Sequence, residues 1–599
     1  MSSNSANTSG RSSRTNSLPV RQGQATSNSN PRASASSQSA STARPPAHMG
    51  SAPSTERKRQ TGAMANARSN TAPSSTARST SPSIPFKETD WQYGYYKKLA
   101  KLVAERNPAA KPRILVITDI EQDYDDLLAI IFLAEMHRMG AVKLAGCIAN
   151  HAPANRRAKF LRTVLHLLGL PDIPVAVGTQ GAEDLGKHAH DHFYGLKNET
   201  FEKAPWNEEP FLRGSDLIEK LVRPGKPLTP LLISSLQDIG EFFDRHKKDA
   251  QFLKQNFSKF VSQGGYEIGQ DSKTGKLALT PRMDMANNQF HPTQAANYCN
   301  CLVAFNLPSD AWSREAAKAA RIPGTFMQQL FNYGPIGAHL RWLWQRQEFK
   351  FFWDPLNWPF MPQLDVGWYL NTRLGLARDS PEFRRLKQSD LNFEMVAPLV
   401  QVIAYDCCAA VGAVGDDFMR EMGVLGNLPD YNLASHKHRV FGRQPTDMGG
   451  INTANLSKVM EVFLLGGLLS TYRAAKETPG FQQLKHNPKA SPYDASHFLK
   501  NVLPLMKKMN EHKDKAKNLR KDIDNTRDAA EIKKLTELAR KEEAEAVKAE
   551  NSLRAAVGPN VKKLPTRDDL PYEQLYQEAM KRVSASQASA GKGQGSRRG

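Results

Sequence analysis

Residues 114–134 read ILVITDIEQDYDDLLAIIFLA, an apolar run, a group of acids and a second apolar run. ILVIT is short, β-branched and wholly apolar up to its threonine, which suits a strand buried on both faces. The run that starts at Asp125 is too long for a strand and is closed by Gly140, which suits a helix. Asp119, Glu121, Asp123, Asp125 and Asp126 fall within eight residues between the two. Carboxylates that close repel one another and call for a counter-charge. A hard divalent cation held by carboxylate oxygens is the natural candidate. In an open α/β sheet, ligands bind beyond the carboxyl ends of the strands, where this turn would sit.

The same texture continues outward. VKLAGCIAN at 142–150 and IPVAVG at 173–178 suit strands, with a helical pattern over 154–170 between them. A helix near 215–222, the strand LTPLLISS at 228–235, a helix over 236–246 and the strand FSKFVSQGG at 257–265 follow, while a helix over 91–105 precedes. Strands alternating with helices of this length predict an α/β fold: a mostly parallel sheet with helices on both faces. The segment 310–395 breaks the pattern and reads as an aromatic, helical insert centred on RWLWQRQEFKFFWDPLNWPF at 341–360. Such an aromatic stripe is more often core than a platform for a base. Residues 396–415 form an apolar run holding one acid, Asp406, and LSKVMEVFLLGGLLSTYRAAKE at 456–477 reads as a buried helix. The α/β domain spans 86–490. From 491 to 580 a Lys/Glu/Ala-rich stretch suits a charged helical extension, a solvated hairpin rather than a coiled coil because its apolar positions are sparse.

The chain has 599 residues and a formal net charge of +21, and the excess is uneven. Residues 1–85 hold ten Arg and Lys against one acid, Glu56, with almost no large apolar side chain. They bury too little to offset ordering entropy, so 1–85 is expected to be a disordered basic tail, and 581–599 a second one. Basic tails attract nucleic acid or acidic partners through a largely sequence-independent term, or serve only as solvated charge. No run of eighteen apolar residues predicts a membrane span. The opening MSSNSANTSGRSSR lacks the apolar core of a secretory signal, which points to the cytoplasm and leaves a nuclear or organellar address open. The five cysteines have no zinc-finger spacing and read as small buried hydrophobes in a reducing compartment.

With these residues in view, the chain resembles the inosine/uridine-preferring nucleoside hydrolase family over about 86–480. ITDIEQDYDD at 117–126 is similar to that family's calcium-binding Asp-x-Asp-Pro-Gly-x-Asp-Asp after a strand. AGCIANHAPANRRAKFLRTVLHLLGLPDIPVAVG at 145–178 resembles its second strand ending in Asn, the next helix and a Pro-Val strand. LLISSLQDIGEFF (231–243), VSQGGYEIG (261–269), MDMANNQFHPTQAANY (283–298) and IAYDCCAAV (403–411) resemble later motifs in the family's order.

The resemblance implies hydrolysis of the N-glycosidic bond of a ribonucleoside, or a related N-ribosyl compound, to free base and ribose by a water activated with Ca²⁺. It implies Glu121, Asp126, Asp406 and the Ile233 carbonyl as metal ligands, with Glu121 also the catalytic base. Asp125, Asn150 and Asn287 would hold ribose hydroxyls, Asp119 would orient the loop, and Tyr405 would lie beside the site. A homo-oligomer is implied too. The physical chemistry is consistent, because a Ca²⁺ with about 6–8 oxygen ligands can grip water and sugar together while a carboxylate takes the proton. Five residues depart from the family pattern. Glu121 stands for Asp, Gln122-Asp123 for Pro-Gly, Tyr405 for His, and Met285 for an acid. The departures support an alternative, a catalytically impaired binding protein on the same fold that acts through its basic tails. A phosphatase of the haloacid dehalogenase type would explain Asp119-x-Glu121 but not Asp125, Asp126 or Asp406. His151 and His291 are expected to be structural or exposed.

Overall fold

A computed structural model describes residues 83–121, 123–185, 198–357, 364–388, 391–426, 437–475, 497–557 and 571–594. All but the last three residues of the expected basic tail 1–85 lie outside these residues, as do 595–599 of the second. In chain order the strands are β1 (Arg113–Thr118), β2 (Lys143–Ala149), β3 (Val175–Val177), β4 (Leu212–Arg213), β5 (Leu228–Ile233), β6 (Phe260–Gln263), the hairpin β7 (Tyr266–Gln270) and β8 (Leu277–Pro281), β9 (Ser309–Trp312), the short β10 (Ile322–Pro323) and β11 (Gln401–Val402), and β12 (His438–Phe441). Eight of them form one sheet in the order β12-β9-β6-β5-β1-β2-β3-β4, every neighbouring pair parallel.

The centre of that sheet shows why ILVIT is a strand. Ile114 and Val116 enter the core on one side, and Leu115 and Ile117 the core on the other. The period of two thus feeds two cores, each side chain contributing about 1.5–3 kcal/mol of burial. The helix after the acids, Asp125–Arg138, is buried from Asp125 through Met136. It packs against the helices Tyr405–Ala413 and Thr453–Ala475. Its one buried acid away from the turn, Glu135, takes Arg138 at 2.6 and 2.7 Å and the Tyr96 hydroxyl at 2.5 Å.

The chain runs outward from β1 through β2, β3 and β4, then returns to β5 on the other side of β1. That reversal opens a crevice between the carboxyl ends of β1 and β5, where open α/β sheets hold ligands. Thr118, the last residue of β1, pairs with Ala149 of β2 and Ile233 of β5, so the segments after these strands start side by side.

The aromatic segment differs in one respect from the helical insert expected over 310–395. It opens with β9, which lies inside the main sheet between β6 and β12. A four-residue strand with Ser and Asp in it carries no readable periodicity. Its place is decided by Trp312, fully buried with its ring 4.6 Å from that of Phe441. Apart from the two-residue β10 the ordered elements there are helices, chiefly Gly334–Asn357 and Val366–Thr372, and Trp342, Trp344, Phe349 and Phe352 are core.

The charged extension forms an antiparallel pair of helices, Leu503–Asn525 and Ala529–Val557. Met506, Met509 and Ala516 face a seam of Ala539, Ala546, Ala549 and Leu553. His512 and Glu542 at 2.6 Å, and Lys513 and Glu550 at 3.2 Å, cross it. A further helix, Tyr572–Gln594, runs on into the stretch expected to be a tail from 581. Tyr572, Leu575, Tyr576, Ala579 and Val583 make one buried helical stripe, enough apolar surface to order the helix. All five cysteines are buried and reduced. Among the described residues no helix is long and apolar enough to cross a membrane.

Candidate metal and ligand site

The acidic turn is held from beneath by Arg157, a fully buried guanidinium on the helix Ala154–Leu167. Its Nη1 donates to the carbonyls of Asp119 and Ile120, the latter at 2.9 Å, and Nη2 donates to Ala152 O at 3.3 Å. Thr118 Oγ1 accepts from the Ile120 amide at 3.1 Å and donates to the Asp126 carboxylate. The Asp119 and Ile120 carbonyls and the Ile120 amide of the turn are thus all paired.

Three carboxylates converge on it. One oxygen each from Asp123, Asp125 and Asp126 lies within 4.8 Å of the others, Asp125 and Asp126 buried and Asp123 half-buried. The Asp125 amide donates to Asp123 Oδ1 at 3.3 Å, which pins the Asp123 side chain over the helix start. Asp406 approaches from the first turn of Tyr405–Ala413 and is 5% exposed. Burial above all, then the neighbouring acids, holds the carboxyls of Asp125, Asp126 and Asp406 well above the usual range. Burial also pushes Asp119 up to about 7, with Arg157 pulling it back and Asp123 adding to the rise. The Tyr405 hydroxyl is pushed up to about 12, again chiefly by burial.

Glu121 takes a different course. It sits at φ 77°, in the left-handed region that costs a non-glycine residue about 1–2 kcal/mol. Its side chain is 1% exposed and its Oε2 lies 2.8 Å from His339 Nε2, on the helix Gly334–Asn357. Its Oε1 is buried and accepts no hydrogen bond. Six acids thus gather at the end of β1 (Asp119, Glu121, Asp123, Asp125, Asp126 and Asp406), with the Arg157 guanidinium buried beneath them. An all-carboxylate set of this kind, with an orphaned buried oxygen, fits a hard divalent cation.

Asn150 is fully buried, and both its amide hydrogens are committed: Nδ2 donates to Ser235 O at 3.0 Å and to Asp238 Oδ2 at 2.8 Å. Its Oδ1 accepts from Ser234 Oγ at 2.5 Å. Asn150, expected from the sequence to hold a ribose hydroxyl, ties β2 to the turn after β5. Gly178 makes room for this, since a Cβ there would lie 2.7 Å from that of Asn150. Asn287 gives its Nδ2 to Gln263 Oε1 at 2.7 Å, beside Gly264 and Gly265, whose φ of 135° and 110° carry the chain round after β6. Ile233 ends β5 opposite Thr118. His151 is buried with its ring 4.3 Å from Phe290, and His291 caps the helix Pro292–Ala304 through Nδ1.

Sequence reading missed Arg157 and His339, and it put Asp123 in the acid group without a ligand role. Arg157 carried a signal, a cation on the face of an otherwise apolar helical stripe. His339 carried none, being one histidine among aromatics.

The sheet and its switch point have counterparts among solved structures. The fold is shared. XopQ, a type III effector protein solved with adenosine diphosphate ribose, is 17% identical and aligns with 64% of this chain and 100% of its own at a TM-score of 0.52. The effector protein XOO4466 is also 17% identical, over 63% of this chain and 99% of its own, at 0.50. A plant nucleoside hydrolase, PpNRh1, aligns at 13% identity over 59% of this chain and 98% of its own with a TM-score of 0.34. No protein-family model and no curated protein sequence matches the chain.

Proposed function

We propose that this chain binds a divalent cation, Ca²⁺, at the end of β1 and hydrolyses the N-glycosidic bond of a ribonucleoside or related N-ribosyl compound there. The observation that carries the reading is the convergence of Asp123, Asp125 and Asp126 at the switch point of a parallel sheet. Asp126, Asp406, the Ile233 carbonyl and Glu121 would hold the cation, and Asp123 joins them as a further donor. A bound Ca²⁺ would supply positive charge and Lewis acidity to a water and to sugar hydroxyls. The remaining chemistry belongs to side chains. Asp125 accepts a hydrogen bond from a ribose hydroxyl, and Asn287 flanks the sugar. Asp119 and Arg157 keep the loop in place. A water oxygen bonds to the anomeric carbon as the carbon–nitrogen bond breaks. Glu121 takes a proton from that water, the departing base takes one from solvent, and Glu121 later returns its own to solvent.

A second reading has its own support. Glu121, bonded to His339, is not among the three converging carboxylates, as a site that binds ribosyl ligands without cutting them would allow. The XopQ complex makes adenosine diphosphate ribose a ligand to include with the ribonucleosides. Reducing sugar released from such a panel, with Ca²⁺ and with chelator, separates the readings. Release lost in Asp126→Ala supports the hydrolase. No release from any ribonucleoside, with Ca²⁺ binding intact by calorimetry, sinks it in favour of the binding protein.

A further inference from the structure

The Glu121 carboxylate is divided between two environments. Oε2 faces His339 Nε2 at 2.8 Å, and Oε1 is buried without a hydrogen bond. His339 is itself fully buried, and a neighbouring amide fixes which ring nitrogen accepts. Asn198 Nδ2 lies 3.1 Å from His339 Nδ1, while Asn198 Oδ1 accepts the Phe201 amide at 3.2 Å and so fixes which way the amide points. An amide nitrogen only donates, so Nδ1 is bare and the ring proton is on Nε2, directed at Glu121. The rings of Phe160, Phe201 and Trp342 stand 4.9, 5.6 and 5.6 Å from the imidazole and leave it little freedom to turn.

We propose that His339 is a positioning residue for Glu121: its Nε2–H grips Oε2 and so leaves Oε1 to the cation held by the aspartates. The inference rests on the cation site proposed above. Carboxylates that bind metals are commonly held by a donor of this kind, and losing it costs about 10–100-fold in metal affinity. Here the donor comes from an aromatic helix remote in sequence, and its tautomer is set by a helix-capping asparagine.

The test is Ca²⁺ affinity by calorimetry, or Tb³⁺ luminescence, on the full chain and its variants, beside the thermal midpoint of the cation-free protein. His339→Leu should weaken binding about 10–100-fold, and His339→Gln, which restores an N–H donor, should recover most of it. The two variants should have the same cation-free midpoint, so the affinity gap between them cannot come from folding. Glu121→Gln should weaken binding in the wild-type background and add little to His339→Leu, because both remove one arrangement. Wild-type affinity in His339→Leu, or strict additivity of the two substitutions, overturns the role of His339 while the cation site stands. A wild-type chain that binds neither ion overturns both.

Discussion

Arg157 shows how much one side chain does beneath the acidic turn. Its guanidinium serves the carbonyls of Asp119 and Ile120 and is the buried positive charge nearest the acids. Arg157→Met should therefore cost about 3–5 kcal/mol in urea unfolding, because it strands both the carbonyls and the acids. Gly178→Ala should displace Asn150 from Asp238, and weaker ligand binding at unchanged Ca²⁺ affinity would show it. Titration of a single residue should also be visible. His438 on β12 is 4% exposed, with Nδ1 2.9 Å from Ser309 Oγ, and burial lowers its pKa to about 4. In the unfolded chain the same group titrates near about 6.5, so between these values the unfolded state holds more protons. Stability is complete above the upper value and is lost as pH falls through the window. Urea midpoints at pH 7.5 and pH 5 should fall less in His438→Asn than in the wild type, and equal falls would refute the assignment.

At the scale of elements, the helix Gly334–Asn357 is the part that reaches from the aromatic segment into the site. His339 meets Glu121, and nine residues on Glu348 meets Arg373, which also donates to the Tyr124 hydroxyl at 2.6 Å. Tyr124 precedes the helix that carries Asp125, so this buried pair docks the aromatic helices onto the acidic turn. Arg373→Met alone should cost about 3–5 kcal/mol by leaving Glu348 charged and unpaired. The double variant Arg373→Met/Glu348→Gln should cost clearly less, and a double-mutant cycle in urea reads the coupling. Local pattern disclosed the elements themselves, since a fully apolar strand and a long apolar helix leave few alternatives. It disclosed neither β9 nor this docking, because a four-residue strand has no period and a buried ion pair is invisible until its elements meet.

For the whole molecule, the eight-stranded parallel sheet provides the crevice and the C-terminal helices brace what covers it. Tyr572 OH donates to Asp354 at 2.9 Å, and the Tyr576 ring lies 5.6 Å from Trp344, both on the helix that carries His339. Removing residues 571–599 should expose that helix. Hydrogen exchange over 334–357 should speed up while β1 and β5 stay protected. Unchanged exchange there would show that the C-terminal helix contributes nothing to the site.

The sequence by itself determined the α/β class, the place of β1 and the acids after it, and the buried helix that follows. These depend on hydrophobic period and on charge density within a few residues of one another. Only the tertiary structure decided which groups each acid meets. Glu121 bonds a histidine 218 residues away. Asp123 joins Asp125 and Asp126, and Asn150 spends its amide on the turn after β5. Such partnerships are set by which strand ends lie side by side and by which buried groups must be satisfied, and neither is written in local sequence.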